Sequence, residues 1–306
     1  MQHTLKSPVR FAGLGLHSGK TAHMIVRPAP AGHGIKFLRT DIALGDAVIP
    51  ARWDLARQTP LQTRLENAAG AHVATVEHIM AALAGAGVHN ALVEIDTPEV
   101  PILDGSSLPF LLGIMRVGLT RQDVPLKALR ILREVELRHG DAVARLMPAD
   151  EFEMHFAIDF PDPAIGRQEK TMNLRNGSFA RELCDSRTFC RLSDVEAMHK
   201  AGLALGGTID NAVVVDGDRI LTPGGLRHDD EAVRHKMLDA LGDLALAGGP
   251  ILGRYEGERA GHSVTNMLLR ELFDQPEAFE WVDLTPAMAA RMPGAGLVLE
   301  EVPAVA

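Results

Sequence analysis

The sequence predicts an α+β protein built from two similar halves. Three observations carry that reading. The chain has 306 residues, enough for two domains or one large one. Strand-like runs gather beside a few helical runs in each half, the α+β pattern rather than regular alternation. One unit also occurs twice: a helix bearing a histidine, a pair of glycines, then an apolar strand. His78-Ile-Met-Ala-Ala-Leu in the first half resembles His235-Lys-Met-Leu-Asp-Ala-Leu in the second, as a duplicated β/α unit would.

The elements follow in order. Thr75 is expected to cap a helix whose apolar stripe is Val76, Ile79, Met80 and Leu83. Gly85 and Gly87 end it, and Ala91–Ile95 reads as a strand. The polar, proline-ended stretch Thr120–Pro125 separates the halves, giving domains at 1–124 and 125–306. Leu129–Leu132 begins a new strand, and Glu151–Ile158 alternates polar and apolar residues as a strand does. At about 190–221 lies an insertion. It holds a helix over Ser193–Ala201, a break at Gly206-Gly207, a strand at Ala212–Val215 and a hairpin turn at Asp216-Gly217-Asp218. Its apolar residues need something to cover. A helix from about Asp230 to Ala247 carries the stripe Val233, Met237, Ala240, Leu241 and Leu244, with Asp229 and Asp230 where a helix start favours negative charge. Gly248-Gly249 ends it, and Ile251–Tyr255 follows as a strand.

Composition excludes several classes. A net charge of −9 lacks the basic footprint of a nucleic-acid binder. Two cysteines, Cys184 and Cys190, are too few for a cysteine-rich zinc module and read as thiols of a reducing compartment. The first residues lack the apolar core of a signal peptide, and no run approaches the roughly 20 apolar residues of a membrane helix. A cytoplasmic monomer is expected, with membrane contact at most peripheral.

His235, Asp239 and Asp243 fall on the helix face opposite its apolar stripe. Residues four apart on a helix lie roughly 5–6 Å apart, close enough to share a small cation. Random placement of 13 His and 40 acidic residues gives about 1.7 His-x-x-x-acid pairs, so spacing alone is weak. The chain has two. The other, His155 and Asp159, lies on a strand, where four residues span roughly 13 Å. His78 on the matching helix completes a set of two imidazoles and one carboxylate with His235 and Asp239. That set suits a catalytic zinc with one open position, and iron(II) accepts it too. Glu77 neighbours His78 but points about 100° away on a helix, so it would serve as base rather than ligand. His262, in Gly261-His262-Ser263, is a candidate general acid, with Asp243 placed to orient it. Each has a plainer reading: a hydrogen-bonded structural histidine, an ordinary first-turn glutamate, a loop histidine. A different zinc amidase or peptidase, or a structural metal site, would use the same ligands.

Several motifs in matching order then resemble one family. They are Gly13-Leu14-Gly15-Leu16-His17-Ser18-Gly19, Thr75-Val76-Glu77-His78-Ile79-Met80-Ala81-Ala82-Leu83, Pro101-Ile102-Leu103-Asp104-Gly105-Ser106, Ser186-Arg187-Thr188-Phe189, Arg234–Asp239 and Gly261-His262-Ser263. Nearly the whole chain resembles the UDP-3-O-acyl-N-acetylglucosamine deacetylases, zinc amidases of lipid A synthesis in Gram-negative bacteria. The resemblance implies two α+β domains with helices face to face and zinc on His78, His235 and Asp239. It implies Glu77 as base, His262 as acid supported by Asp243, and Thr188 beside the oxyanion. Lys236 would contact the sugar nucleotide and Phe160 would lie near the uracil. The insertion would form a passage for the 3-O-acyl chain, walled by Leu16, Phe189, Leu192, Val195, Ala204, Gly207, Ile209, Ala212 and Val214. Arg191, Arg259 and Ala142 depart from relatives that carry an aromatic residue, a lysine and a lysine there.

Overall fold

The computed structural model describes residues 1–304. A five-stranded and a seven-stranded sheet share one order of five strands. In the first, Val9–Leu14, Thr21–Pro28, Ala91–Ile95, Ile35–Arg39 and Val48–Pro50 lie side by side. In the second, Val135–His139, Ala142–Met147, Ile251–Glu258, Phe152–Asp159 and Arg167–Asn173 do the same, with Lys127–Ile131 and Phe279–Asp283 added. In both, the strand after the long helix enters the middle. It runs antiparallel to the second hairpin strand (Met24 opposite Ile95, Leu146 opposite Tyr255) and parallel to the next (Phe37 opposite Val93, Met154 opposite Tyr255). The duplicated unit read from the sequence is therefore a duplicated topology.

The helices are α1 (Glu77–Ala86), α2 (Leu108–Val117), α3 (Ser178–Glu182), α4 (Leu192–Lys200), α5 (Glu231–Leu244), α6 (His262–Phe273) and the short α7 (Pro286–Ala289). Helix α1 packs on α2 and α5, and α5 packs on α6. Outward, α2 meets strand Val9–Leu14, while α5 and α6 meet the second sheet. Two helix pairs thus lie face to face between two sheets, and their apolar residues join one core spanning both halves.

Composition explains why these helices are central. In α1 only Ala84 is not buried, as expected of a helix apolar all round. Helix α5 buries its apolar stripe and also His235, Asp239 and Asp243. The face that the sequence presents as polar and opposite the core is thus a second buried face, turned toward α1 and α6. Contact there is close because Gly242 has no side chain. A Cβ at Gly242 would lie 2.0 Å from the Glu77 carbonyl oxygen.

Several local expectations change. Thr75 does not cap α1. It sits outside at φ 56°, with its hydroxyl directed to Gln62 and Glu99, and Val76 is the residue before the helix. Gly87 takes the left-handed C-cap at φ 75°, whereas Gly85 lies inside the helix beneath the Phe179 ring. Part of the polar stretch at 120–125 is a strand, Leu119–Gln122, paired with Gln2–Leu5. The insertion gains a strand, Phe189–Arg191, parallel to Val213–Asp216, so its hairpin around Gly217 edges a three-stranded sheet. Cys184 and Cys190 are free thiols. No helix among the described residues is long and apolar enough to cross a membrane.

Gly242→Ala tests the close approach. Helix propensity alone would stabilise it by about 1 kcal/mol. Overpacking against the Glu77 backbone should instead cost a net ~1–3 kcal/mol, measured by urea unfolding. A variant more stable than the wild type would overturn the contact.

Candidate active site

The packing of α1 against α5 brings His78, His235 and Asp239 together. One ligand atom from each lies within 4.8 Å of the others, and all three residues are buried. The imidazole rings of His78 and His235 meet edge to face with centroids 5.1 Å apart. Asp239 Oδ1 faces His235 Nε2 at 3.3 Å and His78 Nε2 at 3.5 Å, yet it is buried with no hydrogen-bond partner among the described residues. A buried polar atom without a partner is rare and costly. A cation between the three groups would satisfy it.

The surrounding contacts prepare these groups as ligands. His235 Nδ1–H donates to the Ser186 carbonyl at 3.0 Å, which leaves Nε2 with its lone pair toward Asp239. Lys236 Nζ donates to Asp239 Oδ2 at 2.7 Å and turns Oδ1 inward. Burial holds His235 neutral by lowering its pKa to about 4, partly offset by Asp239. Burial opposes the charge on Asp239, but His235, Lys236 and His262 outweigh it and hold the carboxylate well below the usual range. Both states are the ones that bind metal.

Glu77 is the first residue of α1 and only 2% exposed. Burial raises its pKa, and His262 and His78 work against that rise. His262, the candidate acid whose plainer reading is a loop histidine, is the first residue of α6. Its Nδ1–H donates to Asp243 Oδ2 at 2.9 Å, and its Nε2 lies 3.7 Å from Asp239 Oδ2 and 4.0 Å from Glu77 Oε1. Burial opposes protonation, but Asp243, Asp239 and Glu77 prevail and push His262 up to about 9. The magnitudes allow this: unit charges 4 Å apart attract by about 4 kcal/mol at an effective dielectric near 20. Glu77, His262, Asp239 and the two facing imidazoles thus gather in one cluster.

The same motifs match known proteins. The family model described as UDP-3-O-acyl N-acetylglycosamine deacetylase (LpxC) covers residues 2–274. The chain belongs to the UDP-3-O-acyl N-acetylglycosamine deacetylase family. A protein of Phenylobacterium zucineum (strain HLK1), named UDP-3-O-acyl-N-acetylglucosamine deacetylase, is 49% identical over 278 residues, 91% of this chain and 95% of that one. Proteins of the same name from Stenotrophomonas maltophilia (strain K279a) and Xylella fastidiosa (strain 9a5c) are 44% identical over 285 residues and 43% over 296. They cover 92% and 95% of this chain, and 93% and 96% of their own.

In this family member the remaining candidate residues fall in three places. Thr188 and Phe189 lie on the segment that passes His235. The Thr188 backbone is held by Gly105 and Val213, and the Phe189 ring stands 6.3 Å from the His235 ring. Phe160 meets Phe189 edge to face at 5.3 Å, so an aromatic row leads away from the metal ligands. Lys236, expected to contact a sugar nucleotide, is directed at Asp239. Of the passage residues, Ala212, just before strand Val213–Asp216, and Val214, within it, are buried, while Leu192 and Ile209 are 44% and 47% exposed. Val195 lies on α4 between those extremes. Residues 204–206 bond to the 16–17 loop through Gly206 N–H to the Leu16 carbonyl and Ala204 N–H to His17 Nδ1. A Cβ at Gly207 would touch the Leu16 side chain. Of the departing residues, Arg191 pairs with Asp162 and Arg259 with Asp159.

Sequence reasoning missed Thr63, Asn266 and the Ser186 carbonyl. None belongs to a periodic pattern, and a backbone carbonyl leaves no trace in a sequence.

The ligand set is testable by metal titration. Metal-free wild-type protein should take up one Co2+ per chain, read from its visible absorption. His235→Ala should lose more than the roughly 10–100-fold in affinity that loss of an outer partner alone costs. Unchanged affinity would remove His235 from the set.

Proposed function

We propose that the protein hydrolyses the 2-acetamido group of a UDP-3-O-acyl-N-acetylglucosamine. The products are acetate and UDP-3-O-acyl-glucosamine, in an early step of lipid A synthesis in a Gram-negative cytoplasm. The observation that carries this reading is the convergence of Glu77, His262 and three buried potential metal ligands within a chain of this family. We take residues 1–124 and 125–306 as two domains of a monomer. We assign zinc to His78, His235 and Asp239, with iron(II) as the other metal that suits two imidazoles and a carboxylate. A structural zinc site usually closes with four protein ligands, whereas this group has three.

When bound, the metal supplies Lewis acidity, polarising the acetamide carbonyl and lowering the pKa of a coordinated water from about 15.7 toward 7. The chain's own groups manage the protons. Glu77, whose burial strengthens its hold on a proton, takes one from the attacking water. The Thr188 hydroxyl supports the developing oxyanion. Protonated His262 gives its Nε2 proton to the departing amine as the C–N bond breaks, and Asp243 steadies the imidazolium. Water is consumed, acetate leaves, and the sugar keeps a free amine. Lys236, Phe160 and Phe189 would meet the nucleotide sugar. The groove between the 16–17 loop and residues 192–214 would take the acyl chain, gaining about 0.8 kcal/mol per buried CH2.

Metal-loaded protein incubated with the acylated sugar nucleotide should release free acetate. A chelator should stop release, and added Zn2+ should restore it. Glu77→Ala should keep its metal and lose about 10²–10⁴-fold in kcat. Full turnover by that variant would overturn the base assignment, and no acetate from wild-type protein would overturn the function.

The acid makes a second prediction. His262 works protonated, so kcat/KM should fall as pH rises through its pKa of about 9. Asp243→Asn removes the nearest charge that raises that pKa. The alkaline limb should then move to lower pH. An unmoved limb would separate Asp243 from the acid.

A further inference from the structure

Glu77 and His262 sit on different helices, and one residue outside both contacts the machinery of each. Thr63 lies just before strand Arg64–Glu66 and is 0% exposed. Its backbone N–H donates to Glu77 Oε2 at 3.0 Å. Its carbonyl accepts from Val76 N–H, the residue before α1, at 3.4 Å. Its hydroxyl donates to Asp243 Oδ1 on α5 and accepts from Asn266 Nδ2 on α6 at 3.1 Å. A hydroxyl has one proton and two lone pairs, so both bonds can form together. The other Asp243 oxygen receives His262 Nδ1–H. Each oxygen of this buried carboxylate is therefore claimed, one by Thr63 and one by the acid's imidazole.

We propose that Thr63 is a positioning residue that couples the base to the acid. It holds the Glu77 carboxylate through its amide and the Asp243–His262 pair through its hydroxyl. Glu77 Oε1 and His262 Nε2 are thereby kept 4.0 Å apart. The inference rests on the deacetylase reading above and deepens it. Two features favour threonine. Its β-branched side chain is stiff about χ1. Its hydroxyl satisfies a carboxylate oxygen that would otherwise be buried unpaired. The backbone amide at the same position reaches Glu77. A residue that only filled space would need neither polar contact.

Thr63→Val keeps the shape and removes the hydroxyl, and Thr63→Ser restores it. With metal content equal to wild type, Thr63→Val should lower kcat by about 10- to 100-fold with KM changed less than about threefold, the scale of a misplaced reacting group. Thr63→Ser should recover most of that loss. The double variant Thr63→Val/Asp243→Asn should lose less than the product of the two single losses, because both act through one carboxylate. Wild-type kcat in Thr63→Val, or a rise in KM alone, would overturn the proposal. A second measurement does not depend on turnover. The downfield Nδ1–H proton resonance of His262, assigned by its loss in His262→Gln, should broaden or shift in Thr63→Val. An unchanged resonance would overturn the positioning role. Absence of acetate from wild-type protein together with a shifted resonance would instead remove the deacetylase reading and leave the coupling standing.

Discussion

The whole site depends on the backbone contact between α1 and α5. These helices belong to different halves, and only their close approach brings His78 within reach of His235 and Asp239. Gly242 permits the approach at Glu77 itself, so the position of Glu77 and the spacing of His78, His235 and Asp239 are set by one packing event. The sheets outside hold the helices in place. Each half buries its apolar face against its own helices, and the helices bury their remaining faces against each other. A shift of one helix along the other would separate the ligand set and carry Glu77 away from His262.

That arrangement concentrates charge where burial makes charge costly. Buried ions persist only when paired and hydrogen-bonded. The site meets this condition with few groups. Lys236 satisfies Asp239 Oδ2 and leaves Oδ1 facing the two imidazoles, Thr63 and His262 satisfy Asp243, and the Thr63 amide holds Glu77. The same pairings spread the proton affinities of neighbouring residues apart. His235 is driven down to about 4 and His262 up to about 9, although both are buried imidazoles on adjacent helices. What separates them is which carboxylates face them. His262 lies near three, whereas His235 lies beside one and shares its surroundings with His78 and Lys236.

The legible parts of this molecule were those written as periods. The stripes of α1 and α5, the alternation in Phe152–Asp159 and the helix–glycine–strand unit follow from spacing, and all appear in the fold. His235 and Asp239 were visible because a helix converts a four-residue interval into a shared face. What spacing could not show was what covers that face. The polar side of α5 looks solvent-facing in a linear reading, because nothing local says that a second helix and a third will cover it. Thr75 fails as a cap for a related reason. Its φ is positive and its hydroxyl turns to Glu99, 24 positions away. Strand Phe189–Arg191 is three residues long and pairs across the insertion, below the length at which alternation carries information.

Charge balance links the fold to the chemistry. Glu77, Asp239 and Asp243, taken as ionised, face Lys236 and protonated His262, which leaves one negative charge in excess among these groups. A divalent cation between His78, His235 and Asp239 reverses that sign. The pocket would then favour an oxyanion over a neutral amide, which is the discrimination amide hydrolysis requires. The facing carboxylates also explain why a proton can stay on His262 although burial opposes it. Thr63 contacts both Glu77 and Asp243, and Asp243 accepts from His262, so a change at one of these groups disturbs the others.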